Sequence, residues 1–248
     1  MRLSTKRFAK LLFPLLGLCV VSLAILRSFT VVNGTMMPNP HENYYALLDQ
    51  REAVLQKEFK KAPGANLNQM RDLALVLWEN NKIEEAEPYL KEIWEEHRST
   101  NTTTYDQTFV QDGLNLAGLY VDRGSNGLAT IIYERLIAYD CAHLPPTDSR
   151  IGRDLNNLGL CYLQTGEGTA EWKVRKEWFE KAIATYGNAE KILRASPQSQ
   201  PQLICNLQNQ VIAYSELGNT DRALELSNIV NKQLDAWHEH QTKSEKRI

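Results

Sequence analysis

The sequence has no excess of positive charge and few cysteines. Lysine and arginine number 28 against 30 aspartate and glutamate residues, so the net charge of −2 gives no general attraction to nucleic acid. Cys141, Cys161 and Cys205 follow an N-terminal apolar stretch that contains Cys19. This odd, widely spaced set does not predict a disulfide framework. We interpret the three as small packing residues, with one optional disulfide as the alternative.

The sequence also lacks the motifs of catalytic, metal and cofactor sites. No glycine-rich phosphate loop, G-x-S-x-G elbow or CxxC pair is present. The histidines have no metal-binding spacing, since His238 and His240 are two apart and point to nearly opposite sides of a helix. We therefore predict a non-enzymatic protein with no catalytic residue, metal or cofactor. An enzyme with a site hidden between helices is the alternative.

The N-terminus has the layout of an export signal. Basic residues precede an uncharged stretch from Leu11 to Leu26, after which Arg27 follows. The stretch is shorter than the roughly 20 residues that span a bilayer, but snorkelling by Lys10 and Arg27 lengthens it. We predict a transmembrane signal anchor over residues 1–32, which places the C-terminal domain on the non-cytoplasmic side of the membrane. A cleaved signal, giving a secreted or periplasmic protein, is the alternative.

The remaining chain divides into a linker, a leading helix and a repeat region. Residues 33–40 contain Gly34, Pro38 and Pro40 and predict a linker. Residues 41–64 predict an amphipathic helix with Tyr45, Leu48, Leu55 and Phe59 on its apolar face, closed by Pro63-Gly64. Residues 65–240 predict four helical repeats, and 241–248 a polar tail. No stretch alternates apolar and polar residues for long, so the predicted fold class is all-α.

The repeats appear as apolar triplets that end in a large residue and precede a polar turn. The large residues Leu77, Tyr120, Tyr162 and Tyr214 are separated by 43, 42 and 52 residues. The triplets are Leu73, Ala74 and Leu77; Leu116, Ala117 and Tyr120; Leu158, Gly159 and Tyr162; with Val211 and Tyr214 in the fourth. The predicted turns are Asn80-Asn81, Arg123-Gly124, Thr165-Gly166 and Gly218-Asn219.

A second helix in each repeat is predicted from a recurrent alanine. Ala86, Ala129 and Ala223 each lie nine residues beyond the large residue. Only a small side chain lets two antiparallel helices approach closely, so we expect these alanines at helix crossings. The third repeat carries extra residues, and Trp178, Phe179 and Ala182 take the corresponding face.

These residues resemble the tetratricopeptide repeat, and Leu155-x2-Leu158-Gly159-x2-Tyr162 carries the resemblance most clearly. The stretch Leu155–Gly159 and the long repeat spacing are similar to the kinesin-light-chain subgroup. Departures are Gln210 at a normally apolar position and the missing proline after the first two second helices. The resemblance implies a right-handed solenoid of helix hairpins with a concave groove lined by first helices.

The groove is the predicted binding site for a protein or peptide. First-helix asparagines bind peptide backbones in the family resembled, and a carboxamide offers both a donor and an acceptor. The candidate residues are Asn115, Asn157, Asn209, Asn156, Gln208, Asp122, Gln164 and Glu216. Their acidic members favour a neutral or basic partner. The alternative is that these asparagines solvate or cap an inner surface.

The sequence thus predicts a membrane-anchored scaffold that binds a protein partner and no nucleic acid. The alternative is a secreted or periplasmic structural subunit that self-associates through the repeat surface or the leading helix. A terminal carboxylate as ligand is disfavoured, because only Arg71 and Arg153 lie near the predicted groove.

Overall fold

A computed structural model describes residues 40–61, 66–99 and 104–245. Within these ranges the chain forms nine α-helices and one short 3₁₀ helix, Pro197–Ser199, with no strand. The α-helices are α1 (Pro40–Lys61), α2 (Leu67–Glu79), α3 (Ile83–Ser99), α4 (Gln107–Arg123), α5 (Asn126–His143), α6 (Ser149–Gly168), α7 (Trp172–Arg194), α8 (Gln200–Glu216) and α9 (Thr220–Glu245). The all-α prediction is confirmed for the described residues.

The predicted N-terminal anchor, residues 1–32, lies outside the described residues. Among the helices from α1 to α9, none is both long and apolar enough to cross a membrane. The chain divides into two compact units, and the division falls inside α4 between Leu119 and Tyr120.

In the first unit, α1 is the predicted leading helix, and one buried acid fixes it. Leu48 is buried, whereas Tyr45, which shares the predicted apolar face, is 55% exposed. The buried carboxylate of Glu52 instead accepts hydrogen bonds from Lys82 Nζ at 2.6 and 2.8 Å and from Asn80 Nδ2 at 2.6 Å. These contacts tie α1 to the turn that follows α2.

The α2–α3 pair follows the predicted repeat. Asn66 caps α2 by accepting from the Gln69 backbone amide at 3.0 Å, and the Gln69 side chain accepts from the Asn66 amide in return. Asn81 adopts a φ of 60° in the predicted turn, a conformation that asparagine tolerates. Ala86 and Leu90 of α3 are fully buried.

In the second unit the crossing alanines are also buried. Ala129 is fully buried and Ala223 is 7% exposed, as expected for residues at helix crossings. The predicted turns contain Gly124 with φ of 81° and Gly218 with φ of 77°, where a side chain would be strained. Helix α9 continues to Glu245, into the predicted polar tail.

The α6–α7 pair contains a feature that the repeat pattern did not predict. Three glycines of α6 at seven-residue intervals lie under three large residues of α7 at the same interval. An added Cβ at Gly152, Gly159 or Gly166 would lie 2.9, 2.6 or 2.6 Å from Leu193, Tyr186 or Phe179, respectively. The predicted turn at Thr165-Gly166 is therefore wrong: α6 runs on to Gly168, and Gly166 packs beneath the fully buried Phe179.

Candidate functional site

Helices α6 and α8 of the second unit carry six of the predicted groove residues, four of which lie in pairs two turns apart. Asn157 and Gln164 are seven residues apart on α6, as are Asn209 and Glu216 on α8. Seven residues make about two helical turns, so each pair shares one side of its helix. All four are half-buried. We call these four residues the amide face.

Hydrogen bonds between asparagines hold α6 and α8 together beside this face. The Oδ1 atom of the buried Asn156 accepts from Asn206 Nδ2 and from Asn209 Nδ2, both at 3.2 Å. Asn156, predicted as a peptide contact, thus has its carbonyl oxygen occupied within the fold.

The hydrogen-bonded chain continues across α8 to α7. Gln210 is buried, and its Nε2 donates to Asn206 Oδ1 at 2.9 Å and to Glu190 Oε2 at 2.7 Å. The other Glu190 oxygen accepts from Arg194 Nε at 2.8 Å. This explains the polar residue at a normally apolar repeat position, since both amide protons of Gln210 find acceptors.

Three residues of the amide face keep their polar groups free. Asn157, Gln164 and Glu216 make no hydrogen bond or ion pair within the part of the chain that the structure describes. Gln208, also predicted, is half-buried, and its Oε1 lies 3.7 Å from the Cys205 sulfur that donates to it. Asn157 and Gln164 therefore offer unpaired carboxamides to a ligand.

The two candidates on α4 occupy different surroundings. Asn115 is 3% exposed, and its Oδ1 accepts from Gln111 Nε2 at 3.0 Å, whereas its Nδ2 is buried without a hydrogen-bond partner. Asp122 is exposed. An unsatisfied buried donor is uncommon in a folded protein, so Asn115 is the candidate whose surroundings are least explained by packing.

A second set of polar residues escaped the sequence analysis. Asp112, Asp154 and Asn206 each precede a repeat tyrosine by eight residues, and each is fully buried. Asp112 of α4 accepts two hydrogen bonds from the Arg71 guanidinium of α2, at 2.5 and 2.8 Å. In the same way, Asn206 of α8 donates a hydrogen bond to Asn156 of α6. Two first helices are thus each joined to the preceding first helix by hydrogen bonds of a fully buried polar residue. The eight-residue spacing was visible in the sequence.

The two arginines near the predicted groove are both engaged with buried aspartates. Hydrogen bonding to Asp112 raises the pKa of Arg71, and His97 Nδ1 also lies 2.7 Å from Asp112 Oδ2. Arg153 Nε donates to Asp154 Oδ1 at 2.7 Å. Burial raises the pKa of Asp154, although Arg153 acts in the opposite direction.

The three cysteines among the described residues, Cys141, Cys161 and Cys205, are free thiols. Cys161 and Cys205 are buried as predicted, and burial raises the pKa of each to about 12, which keeps them protonated near neutral pH. Cys141 is exposed, so its interpretation as a packing residue is wrong. Among the described residues, no three His, Cys, Asp or Glu side chains are placed to hold a metal ion.

Comparison with solved structures identifies the fold. The chain is similar to a crystal structure from Podosopora anserina described as kinesin light chain TPR-like repeats, with 18% identity and a TM-score of 0.59 over 80% of this chain and 88% of that one. It is also similar to MamA, with 18% identity and a TM-score of 0.54 over 83% and 99% of the two chains. No protein-family model and no curated protein matches the sequence. The predicted resemblance to tetratricopeptide repeats is thus confirmed as a likeness of fold.

Proposed function

We propose that this tetratricopeptide-type chain is a non-enzymatic scaffold whose amide face binds an extended segment of a protein partner. The observation that carries the proposal is the pair Asn157 and Gln164, whose half-buried carboxamides lie two turns apart on α6 without hydrogen bonds. A carboxamide can donate to a peptide carbonyl and accept from a peptide amide together. Recognition of this kind uses the partner's main chain and tolerates many side chains.

The charge of the surface favours a neutral or basic partner. Glu216 adds an unpaired carboxylate to the amide face, and Asp122 is an exposed acid at the end of α4. Arg153, the arginine nearest to Asn157 in the sequence, is paired with the buried Asp154. A ligand carboxylate would therefore meet repulsion from Glu216 without a free guanidinium to offset it.

The neighbouring asparagines support this role by fixing the platform. Because Asn156 holds both Asn206 and Asn209 at 3.2 Å, α6 and α8 are kept in register beside the free amides. A fixed platform loses little conformational entropy when a ligand binds.

A binding experiment tests the proposal. Neutral or basic peptides selected from a random library on the full chain should bind the Asn157→Ala/Gln164→Ala variant at least tenfold more weakly. Asn228→Ala is a matched control, because Asn228 is an exposed helical asparagine of α9 without a described interaction. Each change to alanine raises helix propensity, so thermal stability should not fall. Unchanged binding by the double variant would rule out the amide face.

We further propose that residues 1–32 attach the chain to a membrane, with the repeats on the non-cytoplasmic side. The basic start followed by the uncharged Leu11–Leu26 supports this proposal. Full-length protein should remain with membranes after alkaline extraction, and added protease should digest the repeats from the non-cytoplasmic side only. Release of the protein by alkali would instead indicate a cleaved signal.

A further inference from the structure

A pocket lies among α7, α8 and α9, away from the amide face. It is an open depression with a volume of about 400 Å³, lined by Ile183, Gly187, Glu190, Lys191, Arg194, Gln210, Tyr214 and Arg222. On α8, Gln210 and Tyr214 lie roughly 100–160° around the helix from Asn209 and Glu216, at about 100° per residue. A ligand of the pocket therefore does not compete for the amide face of α8.

The floor of the pocket is open and apolar. A Cβ added at Gly187 would have no heavy atom within 4 Å, so the α7 backbone itself borders the space. Ile183 and the Tyr214 ring are half-buried beside it. A side chain with an apolar stem can therefore lie against α7 and the Tyr214 ring.

The rim of the pocket is cationic. Arg194 is paired with Glu190 at 2.7 Å and Arg222 with Glu225 at 2.6 Å, whereas the exposed Lys191 has no described partner. Three basic groups against these two acids leave one positive charge, carried by Lys191. Exposed ion pairs are weak, so both arginines can also turn towards an incoming anion.

The charge of the rim selects the sign of the ligand. An anionic group is attracted by Lys191 and can exchange for the carboxylates that pair with Arg194 and Arg222. We propose that the pocket binds an acidic side chain, with its apolar stem, from a short Asp/Glu-rich segment of a second protein partner.

Fluorescence anisotropy with a defined pair of probes tests this pocket. One fluorescein-labelled probe peptide contains Glu-Leu-Glu-Phe-Glu, and its twin contains Gln-Leu-Gln-Phe-Gln. The full chain should bind the acidic peptide at least tenfold more tightly than the twin. Lys191→Glu should remove most of that preference. Lys173→Glu, an equal charge change at an exposed residue of α7 outside the pocket, should leave the Kd within about twofold.

A second variant tests the shape of the pocket without changing charge. Gly187→Leu fills the space beside α7. Because leucine favours a helix over glycine, circular dichroism should show a normally folded variant. It should bind the acidic peptide at least tenfold more weakly. Three results would overturn the proposal. They are equal binding of the two peptides, equal losses of affinity in Lys191→Glu and Lys173→Glu, and competition by a single-stranded oligonucleotide equal to that of the unlabelled acidic peptide. The Asn157→Ala/Gln164→Ala variant should bind the acidic peptide normally, which separates this site from the amide face.

Discussion

Gly159 of α6 lies directly beneath the ring of Tyr186 of α7. A Cβ at position 159 would lie 2.6 Å from Tyr186 Cε1 and 2.7 Å from Cδ1, while the Tyr186 ring is fully buried. The same relationship at Gly152 with Leu193 and at Gly166 with Phe179 sets how closely the two helices pack. This close approach places α6, and with it Asn157 and Gln164.

Gly159→Ala should lower the melting temperature by several degrees. Alanine favours a helix by about 1 kcal/mol over glycine, but overpacking a filled core costs about 1–3 kcal/mol. Gly187→Ala is the matched control, since it makes the same change on α7 with open space at the Cβ position, and it should hold or raise the melting temperature. Thermal unfolding followed by circular dichroism measures both. Equal stability of the two variants would contradict the close packing.

Gln210→Leu should destabilise the fold although it replaces a polar residue with an apolar one. The change leaves Asn206 Oδ1 without its donor from Gln210, and an unsatisfied buried acceptor costs about 1–3 kcal/mol. Urea unfolding of Gln210→Leu, Asn206→Leu and the double variant gives the coupling between the two residues. The loss of unfolding free energy in the double variant should be smaller than the sum of the losses in the two single variants. Strict additivity would show that the 2.9 Å hydrogen bond contributes nothing.

Arg71→Met should be among the most damaging single changes in the first unit. It would leave the fully buried Asp112 without its bidentate partner, and breaking a buried pair from one side costs about 3–5 kcal/mol. Adding Asp112→Asn to Arg71→Met should recover part of the loss, because the amide carries no charge to bury. Chemical unfolding measures the stability of both variants. A double variant less stable than Arg71→Met would contradict this explanation.

The attachment of α1 should weaken in acid. Burial acts to raise the pKa of Glu52, but hydrogen bonds from Lys82 and Asn80 outweigh it and hold the pKa below its ordinary value of 4.5. A lowered carboxyl pKa adds stability above about pH 4.5 that is lost as the pH falls through the folded-state pKa. Glu52→Gln should therefore be less stable than the parent near pH 7, with a gap that closes in acid. A gap that stays constant with pH would exclude this contribution.

The sequence predicted the parts of the fold that depend on local periodicity. Ala86, Ala129 and Ala223 recur at one offset in three of the four repeats, and all three are buried. It did not predict the end of α6, since Thr165-Gly166 has the composition of a turn, whereas Gly166 is a packing position under Phe179. A glycine's role depends on its tertiary neighbour, which periodicity does not supply.

The candidate site was predictable to the level of helix face but not of individual hydrogen bonds. The pattern placed Asn157, Gln164, Asn209 and Glu216 on two first helices. It could not show that Asn156 pairs with Asn206 and Asn209 across a separation of 50 and 53 residues, because amide pairing depends on the register between helices. The pocket beside Gly187 was missed for the same reason, since α7, α8 and α9 each contribute to it.

The most direct test of the central claim is NMR of the side-chain amide groups. On titration of a library-selected peptide into the full chain, the side-chain NH₂ signals of Asn157 and Gln164 should shift, while those of Asn188 and Asn228 on α7 and α9 stay in place. Such a result requires the ligand to contact α6 through its free carboxamides. Saturable binding of the peptide with unmoved Asn157 and Gln164 signals would contradict the account.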